Sequence, residues 1–406
     1  MCEFHPKITV IIPTRERCDV LRYSLQNVLA QNYPNLEVIV SDNFSQDGTK
    51  NIVEKFEDSR VRYINTGSRL GMSQNWEFAL SHVTGGWVTV IGDDDGLLPG
   101  ALEKVALLIK KSGAKAIRSE TCSYTWPDLT GKSFGRLGIP IKEGWEIRVS
   151  KTWFRKVILG NADYPCLPML YNGGFVEFSV LLEIKERSGS FIRSMTPDVY
   201  FACAISSVLK EYVYSFEPLA INGASKHSGG TSVFTSKKLS ADSPGGKFLS
   251  EDNIPFHEDL PLDGLGAPPR SIQALLFESY LQSQCLRKNE ALHKSYQYQL
   301  SLILAHCGNF KDEIYAWGRL FSQKNGISFV AAQSLSSFLR RRYIFLTKVR
   351  AIRRTFSTFT VGGAYVPLKN VYEASIAASV IAATKPNLIR NVFTRVVHAI
   401  EKKVGL

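Results

Sequence analysis

The sequence lacks the marks of several function classes. Its seven cysteines (Cys2, Cys18, Cys122, Cys166, Cys203, Cys285 and Cys307) are scattered, odd in number and without Cys-x-x-Cys spacing. This argues against a disulfide framework and a structural zinc site, and fits a reducing compartment. No apolar run reaches the roughly 20 residues that span a bilayer. Residues 1–12 have neither the charged n-region nor the apolar h-region of a signal peptide. Gly-x-Gly-x-x-Gly is missing after the first apolar run, as is a Walker lysine loop, which disfavours a dinucleotide dehydrogenase or a P-loop enzyme. There are no repeats or low-complexity tracts.

What is present is a globular composition, 44% hydrophobic and 21% charged over 406 residues, enough for one large domain and a smaller one. A net charge of +12 implies an anionic partner without choosing among nucleic acid, an acidic membrane face and phosphorylated substrates.

The most informative stretch is Gly86 to Pro99. The apolar run Val88 to Ile91 ends in Asp93, Asp94 and Asp95, the pattern of a buried strand presenting charge at the edge of an open sheet, where α/β proteins bind ligands. Clustered carboxylates suit a hard cation such as Mg²⁺ or Mn²⁺, which one or two carboxylates hold together with phosphate oxygens and water. A solvated acidic turn would show the same string, and the preceding chain decides between the two. Lys7 to Pro13, Leu36 to Val40 and Val61 to Ile64 read as strands. They alternate with helical spacing over Asp19 to Gln31, Lys50 to Phe56, Ser73 to Val83 and Gly100 to Lys111. Right-handed βαβ units and a mostly parallel, doubly wound sheet follow. Its polar strand ends (Thr14 to Arg17, Asp42, and Asp93 to Asp95) then share one edge.

Ile-Ile-Pro-Thr14, Val-Ile-Val-Ser-Asp42-Asn-Phe-Ser-Gln-Asp-Gly-Thr49, Arg69-Leu-Gly-Met-Ser-Gln-Asn75 and Gly-Asp-Asp-Asp-Gly-Leu-Leu-Pro99, in this order and spacing, resemble family 2 glycosyltransferases of the GT-A fold. The resemblance covers roughly the first 110 residues and continues more weakly to about residue 230. It implies that Pro13, Thr14 and Arg15 lie by the base and ribose of a nucleotide-sugar, that Asp42 bonds a uracil ring, and that Arg69 approaches the nucleotide or its phosphates. Asp93 looks like the ribose-side and Asp94 the cation-side member of the metal-binding Asp-x-Asp element. Asn43 replaces a usual second acid, and Gly92 stands where many members carry a further aspartate, so the ligand count stays open.

Met195-Thr-Pro-Asp198 is a helix start, with Thr196 as N-cap and Pro197 at the first position. Asp198 either complements the helix dipole or, by the resemblance, is the catalytic base, which the dipole would keep ionised. Lys226 and His227, in the loop Ala224 to Ser232, are the basic residues that resemblance would bring to the metal or diphosphate; a solvated loop is the plainer reading. Trp126, Trp145 and Trp153 are either core or stacking platforms for acceptor sugars.

The expected division is a GT-A domain over 1–235, a linker or lid over 236–270, and a helical region over 271–406, with Gln273 to Leu286 and Leu292 to His306 its clearest helices. Phe338 to Phe356 holds seven basic residues and no acidic one, and Phe338, Phe345, Val349, Ile352 and Phe356 share one helical face. The face suits an anionic membrane surface, a phosphorylated lipid acceptor or a buried core stripe.

The resulting expectation is an inverting, metal-dependent transfer (Mn²⁺ or Mg²⁺) from a UDP-sugar to a hydroxyl of a glycan or lipid-linked acceptor. By analogy this belongs to bacterial surface polysaccharide assembly, on the cytoplasmic side and peripheral to the inner membrane, with no nucleic acid partner. The competing readings are a sugar-phosphate nucleotidyltransferase, which would want a glycine-rich phosphate loop, and a non-enzymatic basic binding module, which leaves the aspartates unexplained. The sequence does not set the oligomeric state.

Overall fold

A computed structural model describes residues 4–129, 135–228, 233, 243–263, 266–287, 295–363 and 366–384. The chain opens with β1 (Ile8–Thr14), α1 (Cys18–Leu29), β2 (Leu36–Asp42), α2 (Thr49–Glu54), β3 (Val61–Asn65), α3 (Met72–Ser81) and β4 (Trp87–Val90). The short β5 (Gly96–Leu97) leads to α4 (Ala101–Ser112), β6 (Ala116–Thr125), β7 (Leu137–Pro140), β8 (Trp145–Val149) and α5 (Ser150–Ile158). Then come β9 (Gly174–Glu177), α6 (Phe178–Ser188), α7 (Pro197–Val208), β10 (Glu211–Ala224) and α8 (Pro244–Leu249). The remainder is helical, α9 (Ile272–Gln282), α10 (Tyr296–Ala305), α11 (Lys311–Asn325), α12 (Phe329–Ser357) and α13 (Val371–Ala383), apart from β11 (Thr358–Val361). Residues 229–232 of the expected basic loop, parts of the expected lid, and Leu292 to Lys294 of an expected helix lie outside the described residues.

The strands join one sheet in the order β11-β7-β6-β9-β4-β1-β2-β3, with β10 beside β5, β6 and β8. β3, β2, β1 and β4 run parallel, as the βαβ reading requires. Beyond β4 the sheet is mixed, because β9 inserts antiparallel between β4 and β6. Both faces are covered. Val10 and Ile12 of β1 pack into one apolar layer and Ile11 into the other, following the two-residue alternation of a strand. The α/β sheet flanked by helices, with a mainly helical C-terminal region, is the expected class. That region does not stand apart, however. β11 pairs with β7, and α13 lies on α1, where Asn27 donates from Nδ2 to Ser375 Oγ at 2.8 Å. No helix among the described residues is long and apolar enough to cross a membrane.

Candidate active site

The polar ends of the parallel strands meet as their register demands. Thr14 pairs with Asp42, and Ile11 with Val90, so the carboxylates after β4 emerge beside Thr14. Polar residues on the inner face of α1 fix the turn that carries them. Ser24 Oγ donates to the carbonyls of Asp93 and Asp95, and Asn27 exchanges hydrogen bonds with the backbone of Leu97.

A cleft of about 870 Å³ opens at this edge. Among its lining residues are Pro13, Thr14, Arg15, Arg69, Asp93, Asp94, Asp198, Lys226 and His227. Asp42 and Asp95, grouped with them in sequence, do not line it. Asp42 is buried and accepts from Ser45 N–H, the Tyr63 hydroxyl and Asn65 Nδ2. Its neighbour Asn43 faces the cleft instead, and its amide clasps both backbone groups of Leu70, which steadies the segment bearing Arg69. Asp95 turns back into the fold, taking hydrogen bonds from Gly92 N–H, Gly223 N–H and the Tyr171 hydroxyl. Burial, and then the Asp94 charge, push Asp95 up to about 7 despite those donors.

Asp93 and Asp94 differ in their partners. Asp93 receives Thr14 Oγ1 at 2.8 Å and Arg17 Nη1 at 2.9 Å, so its charge is already matched. Burial disfavours the Arg17 cation, but Asp93 and Asp94 outweigh that and raise its pKa. Asp94 Oδ2 takes two neutral hydroxyls, Ser225 Oγ at 2.6 Å and Ser228 Oγ at 2.8 Å, and among the described residues no direct hydrogen bond from a cation. Its carbonyl accepts Trp126 Nε1 at 3.0 Å, so Trp126 is a buried prop for this turn. None of the three tryptophans considered as sugar platforms lines the cleft; Trp153 stacks on Arg148 and Lys156.

Gly92 has a packing reason. A Cβ there would lie 2.8 Å from Asp95 Oδ2 and 3.1 Å from Asp94 Oδ1, so any side chain at this place requires these carboxylates to shift.

Across the cleft, Asp198 sits in the first turn of α7, with Thr196 as N-cap and Pro197 leading the helix. Its Oδ2 accepts the Tyr164 hydroxyl at 2.9 Å. The helix dipole does not set its net charge preference, contrary to expectation. Burial pushes the carboxyl up, and the Tyr164 and backbone donors only partly offset that.

At the other end Arg15 forms an ion pair with Glu251, which follows α8. Lys247, Phe248 and Leu249 line the same wall, so this segment roofs the cleft near Pro13 to Arg15. Lys226 and His227 face Asp19 in the first turn of α1, with Nζ to Oδ2 at 3.6 Å and Nε2 to Oδ2 at 3.1 Å. Arg17, Tyr164, Tyr171 and Glu251 were not singled out from sequence. Arg17 alone carried a signal, its place in the loop after β1.

Among the described residues no group of three or more His, Cys, Asp or Glu is arranged to hold a metal ion. The donor set still fits the sparser case, in which one carboxylate holds a hard cation and phosphate oxygens and water complete its shell. Asp94, which among the described residues takes no hydrogen bond from a cation, is the side chain available for that.

Residues 9–131 match the family described as Glycosyl transferase family 2. A Campylobacter jejuni protein named GalNAc(5)-diNAcBac-PP-undecaprenol beta-1,3-glucosyltransferase is 38% identical over 100 residues, 24% of this chain and 32% of that protein. An Escherichia coli protein named UDP-Glc:alpha-D-GlcNAc-diphosphoundecaprenol beta-1,3-glucosyltransferase WfgD is 26% identical over 106 residues, 26% of this chain and 42% of its own. The matches thus span less than half of either relative. A solved structure of S. aureus TarS in complex with UDP-GlcNAc aligns over 82% of this chain and 92% of that one, at 14% identity and a TM-score of 0.47. The four motifs lie inside the matched segment and converge on one sheet edge, so residues 9–131 carry the likeness to glycosyl transferase family 2.

Proposed function

We propose that the protein transfers a sugar, with inversion, from a UDP-sugar to a hydroxyl of a glycan or lipid-linked acceptor in bacterial surface polysaccharide synthesis. The observation that carries this reading is the placement of Asp93 and Asp94, at the end of β4, in one cleft with Asp198 at the start of α7. The names of the relatives support the acceptor and donor classes, since two of them act on undecaprenyl diphosphate-linked sugars and one takes UDP-glucose.

In this reading Arg15, Arg17 and Arg69 bring positive charge to the diphosphate end, and Thr14 with Asp93 anchors the ribose. Asp94 would hold a divalent cation, Mn²⁺ or Mg²⁺, which would supply positive charge against the diphosphate. Lys226 and His227, on the loop beside Asp19, are placed to follow that group. Asp198 accepts the proton of the acceptor hydroxyl while its oxygen bonds to the anomeric carbon and the bond to the diphosphate breaks. The raised pKa of Asp198 makes it a stronger base than an exposed carboxylate, and the roof around Glu251 limits the water that would hydrolyse the donor. The work is placed on the cytoplasmic side, at a membrane that holds the acceptor.

The test is a screen of UDP-sugars for Mn²⁺-dependent release of UDP, with and without acceptor extracts, alongside thermal shift with UDP. Stabilisation by UDP and Mn²⁺ with release from one sugar nucleotide supports the reading. No stabilisation by any nucleoside diphosphate overturns it.

A further inference from the structure

Among the described residues, the 29-residue α12 is anchored along one side only. Ala332, Ser336 and Leu339 are buried, Leu339 against Leu302 and Ala305 of α10, and the Tyr343 ring lies 3.9 Å from His306. Arg350 donates to Asp163 Oδ1 at 2.7 Å and to the Asn161 carbonyl at 3.0 Å. The outer side carries Phe338, Phe345, Ile352 and Phe356, each between 57% and 66% exposed. Their spacing keeps them in one ridge along the helix. Single exposed apolar residues are ordinary, but an aligned ridge of three phenylalanines and an isoleucine marks an interaction surface.

The margins of the ridge name the partner. At 3.6 residues per turn, Arg341 and Lys348 fall on one flank and Arg342 and Arg353 on the other. All four are exposed, and among the described residues none of them forms an ion pair. The helix contains no Asp or Glu. A second copy would set the same positive margins against each other. An anionic leaflet satisfies both parts, with rings entering the acyl boundary and guanidinium and ammonium groups meeting headgroup phosphates.

We propose that α12 is a membrane-docking helix that lies in the plane of an anionic leaflet, ridge inward. Its Arg350 grips the Asn161–Asp163 segment, which adjoins Tyr164, the partner of Asp198. Docking therefore holds the Asp198 side of the cleft near the bilayer, where the reactive hydroxyl of a lipid-linked acceptor is presented. That placement rests on the transferase reading; the docking itself does not.

The experiment is co-sedimentation of the full chain with vesicles of phosphatidylcholine alone or mixed with phosphatidylglycerol. Phe338→Ser/Phe345→Ser/Ile352→Ser and Arg341→Gln/Arg342→Gln/Lys348→Gln/Arg353→Gln are compared with the parent, with far-UV circular dichroism verifying their fold. The parent should bind the mixed vesicles, less at high salt, and each variant should lose about tenfold or more in partition while keeping thermal stabilisation by UDP. Absence of parent binding, or variants that bind equally, overturns the proposal. So does a concentration-dependent dimer that the triple variant abolishes, or RNA binding lost in the charge variant without vesicle binding. Intact vesicle binding without any response to UDP would instead overturn the transferase reading and leave the docking helix standing.

Discussion

The Tyr164 hydroxyl donates to Asp198 Oδ2 at 2.9 Å inside the cleft, and burial raises the pKa of both groups. This bond favours the ionised carboxylate, so it works against the burial that favours the acid. On the proposed reading Asp198 is the base and must be ionised, so activity should fall as pH drops through its pKa. Tyr164→Phe removes the donor and raises that pKa further, which moves the acid limb of the kcat–pH profile to higher pH. Roughly a tenfold loss of kcat near neutrality is expected, with the donor KM little changed and activity recovering at alkaline pH. Asp198→Asn should lose about 10²–10⁴-fold at every pH while still binding UDP. An unshifted profile in Tyr164→Phe would leave the tyrosine a packing residue only.

A second prediction concerns backbone proximity rather than charge. A Cβ on Gly223 would lie 1.8 Å from the Asp94 carbonyl and 2.7 Å from Trp126 Nε1. The first is a backbone atom of the turn that aims Asp94, and the second belongs to the buried ring that props it. Gly223→Ala must push β10 away from that turn, costing about 1–3 kcal/mol of stability in denaturant titration. Stabilisation by UDP and Mn²⁺ should fall by a larger factor than that by UDP alone, because Asp94 moves before the base-binding wall does.

These relationships also show how far the sequence could be read. Strands β1, β2 and β4 were legible because each is an apolar, β-branched run followed by a polar end, buried on both faces, and half-buried β3 by its place in the alternation with helical spacing. Asp198 was legible as a helix start because Thr196 and Pro197 are strong local signals. The mixed half of the sheet was not. Leu137 to Pro140 has no pattern of its own and exists as a strand through pairing with β6 and with Thr358 to Val361, far along the chain. Nor could sequence decide between Arg15 and Arg17. Glu16 between them adopts a positive φ of 53° and is held by Ser45 Oγ and Gln46 N–H, which sends Arg15 to Glu251 and Arg17 to Asp93. A non-glycine residue in that conformation is a feature of tertiary context, and such strain gathers at functional sites.

Glu278 supplies a stability prediction with a definite sign. It is fully buried on α9, with Oε2 receiving Ser194 Oγ at 2.5 Å, and burial pushes its carboxyl up to about 7. The folded state therefore holds a proton that the unfolded chain releases at ordinary carboxylate pH. Its penalty is present above pH 7, and stability rises as pH falls from about 7 toward the unfolded value near 4.5. Glu278→Gln removes the ionisation and retains an amide of similar shape. The variant should be more stable than the parent at pH 8, on the order of 1–3 kcal/mol, with the difference closing by about pH 5 in urea titrations. A constant difference across that range would assign the effect to packing.

The division of labour between the two cleft carboxylates gives the sharpest test of the metal. Asp93 is already paired with Arg17, whereas among the described residues Asp94 takes two serine hydroxyls and no direct hydrogen bond from a cation. Asp94→Asn preserves an oxygen for Ser225 and Ser228 but removes the charge a hard cation needs. It should bind UDP in the absence of metal much as the parent does, yet lose the added stabilisation by Mn²⁺. Asp93→Asn has the opposite signature, because the ribose loses the carboxylate that anchors it while Asp94 keeps its charge. Its affinity for UDP without metal should fall, by about threefold to tenfold for one charge-assisted contact, while its response to Mn²⁺ persists. Calorimetric titration with UDP, with EDTA or Mn²⁺ present, separates the two. If both substitutions abolish the Mn²⁺ response alike, the assignment of the cation to Asp94 alone fails.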